Sequence, residues 1–174
     1  LVLEECKRRR TFIVQIAPEV SLSDFSTNKL KKMGLRNLSS TPWSSGLLDL
    51  RRDEEEILMS LNGKWRNCYR KGLKLGVKIK DVSYSEDGIK SLVNNYKALQ
   101  LEKDFDGLSV SLIESMASRD HKFWKFNIFE ARDEVNNSVL GNLVSVRHGN
   151  VSIYLIGTTT IEGRKSQANY VMLW

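Results

Sequence analysis

Apolar positions recur along this chain with two different periods. From residue 53 to 74, Ile57, Leu58, Leu61, Trp65, Cys68, Tyr69 and Leu73 fall on one arc at the helical repeat of about 100° per residue. The arc predicts one amphipathic helix, with Asp53 as N-cap, Glu56 completing a capping box, and Gly72 and Gly76 offering a stop. Gly63 is its weak point, because glycine costs about 1 kcal/mol against alanine inside a helix. Residues 77–82 (VKIKDV) switch to strict alternation, which predicts a half-buried strand. Beyond Ser85 or Asp87 the helical period returns with Ile89, Leu92, Val93, Tyr96 and Leu99. Residues 103–107 (KDFDG) end that helix, and a second one over 109–118 buries Val110, Ile113 and Met116.

Three strands follow, over 122–131, 139–147 and 151–157, joined by residues 132–137 and by the tight link His148-Gly149-Asn150. Together they predict an antiparallel meander. A polar loop then leads to an apolar run beginning at Ala168, read as a helix. Toward the start of the chain, residues 11–17 (TFIVQIA) read as a strand ended by Pro18. Ser23 or Asp24 caps a helix reaching Lys32 and stopped at Gly34. A turn over 41–46 then feeds a short strand, Leu47-Leu48-Asp49-Leu50. The expected class is α+β, a mixed and largely antiparallel sheet covered by helices.

Size and composition fit that picture. A chain of 174 residues with 41% hydrophobic and 28% charged content is enough for one domain with a sizeable core. The start at Leu1 and the end at Trp174 inside an apolar run predict that this single domain, residues 1–174, belongs to a longer protein. No run is long enough for a transmembrane helix, and no secretory apolar core is present, which points to the cytoplasm. Cys6 and Cys68 lack metal or disulfide spacing, and His121 and His148 stand 27 positions apart without ligand partners, so no metal site is expected.

Charge adds a functional hint. The net charge of +6 is concentrated at residues 7–10, 29–32 and 64–80, the last holding seven Lys or Arg and no acid. Arg66, Arg70 and Lys74 form one stripe on the central helix, with Lys64 and Lys71 in a second stripe nearby. Clustered cations favour an anionic partner such as nucleic acid, a phosphate-bearing ligand or acidic lipid, and a merely solvated surface explains them equally well. Trp65 and Tyr69, flanked by Arg66 and Arg70, fit a basic-aromatic surface or, preferably, core contacts.

The segment from Gly157 through Thr158, Thr159, Thr160, Gly163, Arg164, Lys165 and Ser166 sets hydroxyls, backbone N–H groups and cations before a helix. That pattern suits an anion, or is simply a polar connection. Asp104, Asp106 and Glu130 are candidate general bases that no spacing separates. No nucleophile elbow, P-loop or dinucleotide fingerprint occurs.

Several of these segments carry a resemblance. Leu47-Leu48-Asp49-Leu50, the acids Asp53-Glu54-Glu55-Glu56, Lys64-Trp65-Arg66-Asn67-Cys68-Tyr69-Arg70-Lys71-Gly72 and Gly76-Val77-Lys78-Ile79 resemble the Fem family of aminoacyltransferases, which build peptidoglycan bridges. That family shows an LDL strand, a K-x-R-x-x-x-R-K-A helix and a G-V-x-V strand. Phe129-Glu130-Ala131, Leu140-Gly141-Asn142-Leu143-Val144, Tyr154-Leu155-Ile156-Gly157 and Ala168-Asn169-Tyr170-Val171-Met172-Leu173-Trp174 resemble its acetyltransferase-like (GNAT) strands and helix. Gly72 replaces the family's usual Ala, and the usual Gly and further strand after the Leu-Trp helix do not follow.

The resemblance implies a GNAT-like fold and transfer of an acyl group, aminoacyl from tRNA, to a primary amine of a nucleotide- or lipid-linked muropeptide. It implies no bound cofactor. It places Lys64, Arg66, Arg70 and Lys71 on anionic substrate, and Thr158, Arg164, Lys165, Ser166, Asn169 and Tyr170 around a substrate site, with no catalytic base assigned. Two alternatives stay open: a non-catalytic RNA- or anion-binding module on the same scaffold, and an N-acetyltransferase using acetyl-CoA. Against acetyl-CoA stands the missing Q/R-x-x-G-x-G/A loop, for which Gly163-Arg164-Lys165-Ser166-Gln167-Ala168 is a distant substitute.

Overall fold

A computed structural model describes residues 2–10, 13, 23–37, 45–119 and 121–174. The expected strand over 11–17, apart from Ile13, and most of the turn over 41–46 lie outside the described residues. Contacts divide the chain into two units, Leu1–Asp49 and Leu50–Trp174.

The first unit contains α1 (Val2–Arg8) and α2 (Asp24–Lys32). The basic run after residue 6 was expected only as a charge cluster, yet it closes a helix. There Arg8 Nε and Arg9 Nε donate to the Glu5 carboxylate at 2.8 and 2.6 Å. These two guanidinium groups, Arg8 first, hold the Glu5 carboxyl down at about 2. Helix α2 starts as expected, with Ser23 and Ser26 forming a reciprocal capping box, and Gly34 follows its end at φ 83°.

The second unit is mixed α+β. Its helices are α3 (Glu54–Ser60), α4 (Gly63–Lys74), α5 (Glu86–Lys103), α6 (Val110–Ala117), α7 (Ile161–Lys165) and α8 (Ala168–Leu173). The strands β1 (Val77–Asp81), β2 (Trp124–Asp133), β3 (Val139–His148) and β4 (Val151–Thr159) form one antiparallel sheet in the order β1-β2-β3-β4. The meander and its tight link therefore stand, with Gly149 at φ 60° in the β3–β4 connection.

Helices cover both faces of the sheet. On one, α5 and α6 bury Leu92, Val93, Tyr96 and Ile113 against Phe126, Ile128, Val144, Val146 and Ile156. Ser85 caps α5 and Ser109 caps α6, each accepting from the backbone N–H three residues on, and Asp104 ends α5 in the left-handed region. On the other face, Ala168, Val171 and Met172 of α8 pack on Val77, Ala131, Leu140 and Leu143, with Tyr69 of α4 at the margin.

Four expectations need correction. The helix expected from residue 53 onward is two. Leu61 is extended at ψ 154°, and Asn62 caps a new helix through its Oδ1, which accepts from Lys64 N at 2.8 Å. An Asn directly before a Gly offers a better start than continuation through Gly63 does. Asp53 caps α3 by accepting from Glu55 N at 2.9 Å.

Leu47-Leu48-Asp49-Leu50 is not a strand. It has no ladder partner among the described residues, and Leu47, Leu48 and Leu50 are exposed. Gly72 is no stop but a buried position inside α4, and the helix ends before Gly76, whose φ of 76° suits glycine. Strand β1 is less buried than alternation implies, because it is an edge strand, and Ile79 is exposed. No helix among the described residues is long and apolar enough to cross a membrane.

Candidate functional site

One concavity in the second unit lies where β4 runs into α7 and α8. It is a cleft of about 450 Å³ lined by Tyr154, Gly157, Thr159, Gly163, Arg164, Gln167, Asn169 and Tyr170. Its shape follows from three local features. First, Thr160 pins the start of α7 to β3: its N–H donates to the Leu140 carbonyl at 2.9 Å and its hydroxyl to the same oxygen at 3.2 Å. Gly163 allows that approach, since a Cβ there would collide with the Leu140 carbonyl oxygen.

Second, Gln167 turns the chain at φ 62° between α7 and α8, swinging Asn169 and Tyr170 toward β4. Third, the Tyr154 ring lies over Gly157, where any Cβ would strike its hydroxyl and ring. Although Tyr154 is half exposed overall, its hydroxyl is turned inward over Gly157, and burial pushes it above the usual tyrosine value.

Behind the cleft, α4 lies against α8 through Gly72, where a Cβ would come within 2.5 Å of Val171 Cγ2 and 3.2 Å of the Gln167 carbonyl. This close seam leaves no room for a side chain at position 72. Trp65 and Tyr69 stack at 6.0 Å, Tyr170 meets Trp65 edge-on at 5.7 Å, and Trp174 completes the cluster. The two rings of α4 are thus packed against α8, as the core reading expects, and Tyr170 belongs to both the ring cluster and the cleft. Cys68 raises the Tyr170 hydroxyl, through its charge first, then a hydrogen bond, with burial adding to both.

The expected site residues divide into three groups. Arg164, Asn169 and Tyr170 line the cleft; Lys165 is exposed beside Arg164 on α7. Arg164 approaches Glu102 at 3.5 Å, and Lys103 first, Arg164 second, hold the Glu102 carboxyl below its ordinary range. Lys64, Arg70 and Lys71 are exposed on α4.

Arg66 departs from the expected outward stripe. It folds back so that Nη1 donates to Met59 Sδ at 3.0 Å, and its buried Nε has no partner. Thr158 and Ser166 are occupied elsewhere: the Ser166 hydroxyl donates to the Gly163 carbonyl at 3.2 Å, and Thr158 is buried in a polar ladder under α5.

That ladder runs across three strands. Glu130, Asn142 and Thr158 are cross-strand neighbours, all but sealed from solvent. Asn142 Nδ2 donates to Glu130 Oε1 at 3.3 Å, its Oδ1 accepts from Asn95 Nδ2 at 2.6 Å, and its backbone N–H donates to Thr158 Oγ1 at 3.2 Å. Arg132 closes the row, donating to Glu130 Oε2 from Nε at 2.9 Å and Nη2 at 2.6 Å. A buried carboxylate paired in this way is structural in the first instance.

The expected anion loop is therefore not a loop. Strand β4 extends to Thr159, and a five-residue helix follows whose first turn is already capped, with Thr160 Oγ1 accepting from Gly163 N at 3.0 Å. Of the three candidate bases, Glu130 sits in the ladder. Asp104 and Asp106 line a separate concavity of about 530 Å³ with Lys97, Gln100, Leu101 and Phe105. None of the three lines the first cleft.

Tyr154 and Gln167 were not among the expected site residues. The signal in reach was a tyrosine three positions before a glycine at the end of a strand. Among the described residues no group of three His, Cys, Asp or Glu side chains could hold a metal ion. Fold and site together define a mixed α+β protein with a polar cleft beside an edge strand. No protein-family model matches the chain, and no curated protein matches it.

Proposed function

We propose that this protein is an acyltransferase of Fem-like, GNAT-like type. In this reading an aminoacyl group carried on tRNA enters the cleft between β4, α7 and α8 and passes to a primary amine of a muropeptide. The observation that carries the proposal is the cleft itself, where Arg164, Gln167 and Asn169 line one concavity together with Tyr154 and Tyr170. The amine attacks the ester carbonyl, a C–N bond forms, the C–O bond to the ribose breaks, and the proton lost by the amine ends on the released ribose hydroxyl. Hydrogen-bond donors held in place around the carbonyl oxygen supply most of what such a reaction needs, and Arg164 and the Asn169 amide are the donors at hand.

Lys64, Arg70 and Lys71 serve the polyanion. They are exposed on α4 and form no ion pair among the described residues, and α4 is packed to the cleft wall through Trp65 and Tyr170. Acetyl-CoA is the poorer donor, because the first turn of α7 is already capped by Thr160 and leaves little for a pyrophosphate.

A second reading, a non-catalytic RNA-binding module, draws support from the same unpaired cations and from the lack of a carboxylate in the cleft lining. Titration with aminoacyl-tRNA, uncharged tRNA, acetyl-CoA and a nucleotide-linked muropeptide at two salt concentrations separates these readings. Transfer predicts a preference for the charged tRNA that Arg164→Ala abolishes, while Arg70→Ala with Lys71→Ala weakens both tRNAs alike and flattens the salt dependence. Equal affinity for charged and uncharged tRNA in wild type and Arg164→Ala would leave the binding module.

A further inference from the structure

The two edges of the sheet are protected very differently. The outer edge of β1 carries Lys78, Lys80 and Asp81 within five residues, and Lys78 reaches Glu134 at 3.2 Å. Charges of that kind are how an edge strand avoids pairing with another chain. Strand β4, at the other edge, has nine residues (VSIYLIGTT) and not one charge. Val151, Ile153, Tyr154 and Leu155 are 46, 45, 52 and 37% exposed. Its single irregularity is a bulge: Val144 faces Ile156 and Ser145 faces Tyr154, so Leu155 has no counterpart on β3.

Among the described residues no strand pairs with the outer edge of β4, and from this asymmetry we infer that this edge is a docking surface for an extended peptide that adds to the sheet as a further strand. Charge selects the occupant. The neutral strip is bounded at one end by exposed Arg147 and His148, register partners of Ser152 and Val151. At the other end stand Arg164 and Lys165 of α7 with Lys103, three cations against Glu162 and against Glu102, which Arg164 approaches at 3.5 Å and Lys103 at 3.2 Å. A matching peptide is uncharged and β-prone over about nine residues, roughly 30 Å, with carboxylates at both ends.

A second copy of this chain fits poorly, because two-fold antiparallel pairing would set the Arg147 end of one β4 against the Arg164 and Lys165 end of the other. Main-chain hydrogen bonds supply the affinity in such strand addition and the flanking charges supply the selection. The inference stands whether or not the cleft carries out acyl transfer.

The test uses a fluorescein-labelled peptide of nine alternating Val and Thr residues with two Glu at each end. One control has Lys flanks, and a second keeps the Glu flanks but is N-methylated at alternate amides. Saturable binding of the Glu-flanked peptide is expected, at least tenfold weaker for either control. The exposed charge reversal Arg147→Glu with Lys165→Glu should transfer the preference to the Lys-flanked peptide. Absence of binding, or equal affinity for the Glu-flanked and N-methylated peptides, overturns the inference. So does a concentration-dependent dimer in sedimentation that the peptide leaves intact, which would give the edge to a second copy.

Discussion

The two faces of the sheet are closed by different means. Under α5 and α6, closure is by side chains: Leu92, Ile113, Ile128 and Val144 have no exposed surface, and the polar groups admitted there, Glu130, Asn142 and Thr158, are tied to one another. Burial of each large aliphatic side chain is worth about 1.5–3 kcal/mol, so this face supplies much of the stability. Under α4 and α8, a smaller apolar cluster around Val77, Leu140, Val171 and Met172 is joined by close approaches at glycines, Gly72 against α8 and Gly163 against Leu140, and the concavity opens where Gly157 leaves room for a ring. One face is filled, and the other is shaped. Residues that set the site are therefore small ones, whose enlargement should alter the cleft more than it alters the fold.

The largest effect should come from the filled face. Arg132→Ala leaves the Glu130 carboxylate buried without its charged partner and should cost about 3–5 kcal/mol, read as a lower urea midpoint. Adding Glu130→Gln should return a large part of that loss, because a neutral amide tolerates the site better. If the single change costs nothing, the ladder is not what closes that face.

A smaller effect is expected on the shaped face. Gly157→Ala drives the Tyr154 ring from its seat at a cost of about 1–3 kcal/mol for overpacking. The Tyr154 hydroxyl, freed from burial, should then titrate near the ordinary value of 10.0, which an ultraviolet pH titration measures directly.

The smallest effect concerns the seam between α4 and α8. Cys68→Ala should bring Tyr170 down toward its ordinary value with little change in stability at neutral pH. Because the folded-state value is raised, the protonated phenol's contribution is complete below the ordinary tyrosine value and is lost as pH climbs through the folded one. The wild-type melting temperature should accordingly fall through that alkaline window in a way that the Cys68→Ala protein does not reproduce.

Much of the fold was legible because a single period ran without competition. Ile89, Leu92, Val93 and Tyr96 repeat cleanly between Ser85 and residue 104, and the His148-Gly149-Asn150 link leaves little alternative to a hairpin. The break between α3 and α4 was hidden because apolar spacing continues through Leu61 and Trp65, while the capping preference of Asn62 decides the matter. Cross-strand register was out of reach, and with it the fact that Glu130, Asn142 and Thr158 meet; Thr158 therefore looked like a site residue. Arg164, Asn169 and Tyr170, singled out from the sequence, line the cleft, whereas Tyr154, which lines it too, was not singled out, because its seat depends on the empty side of Gly157.

The ring cluster has an optical consequence. Two of the four tryptophans, Trp65 and Trp174, stand in the wall behind the cleft, and Tyr170 meets Trp65 at 5.7 Å while itself lining that cleft. Excitation absorbed by Tyr69 or Tyr170 passes readily to an indole at such separations, and the tilt between the rings makes the cluster a chiral chromophore. The protein thus carries its own reporter. A ligand that moves Tyr170 changes tryptophan emission and the near-ultraviolet dichroism together, without any label.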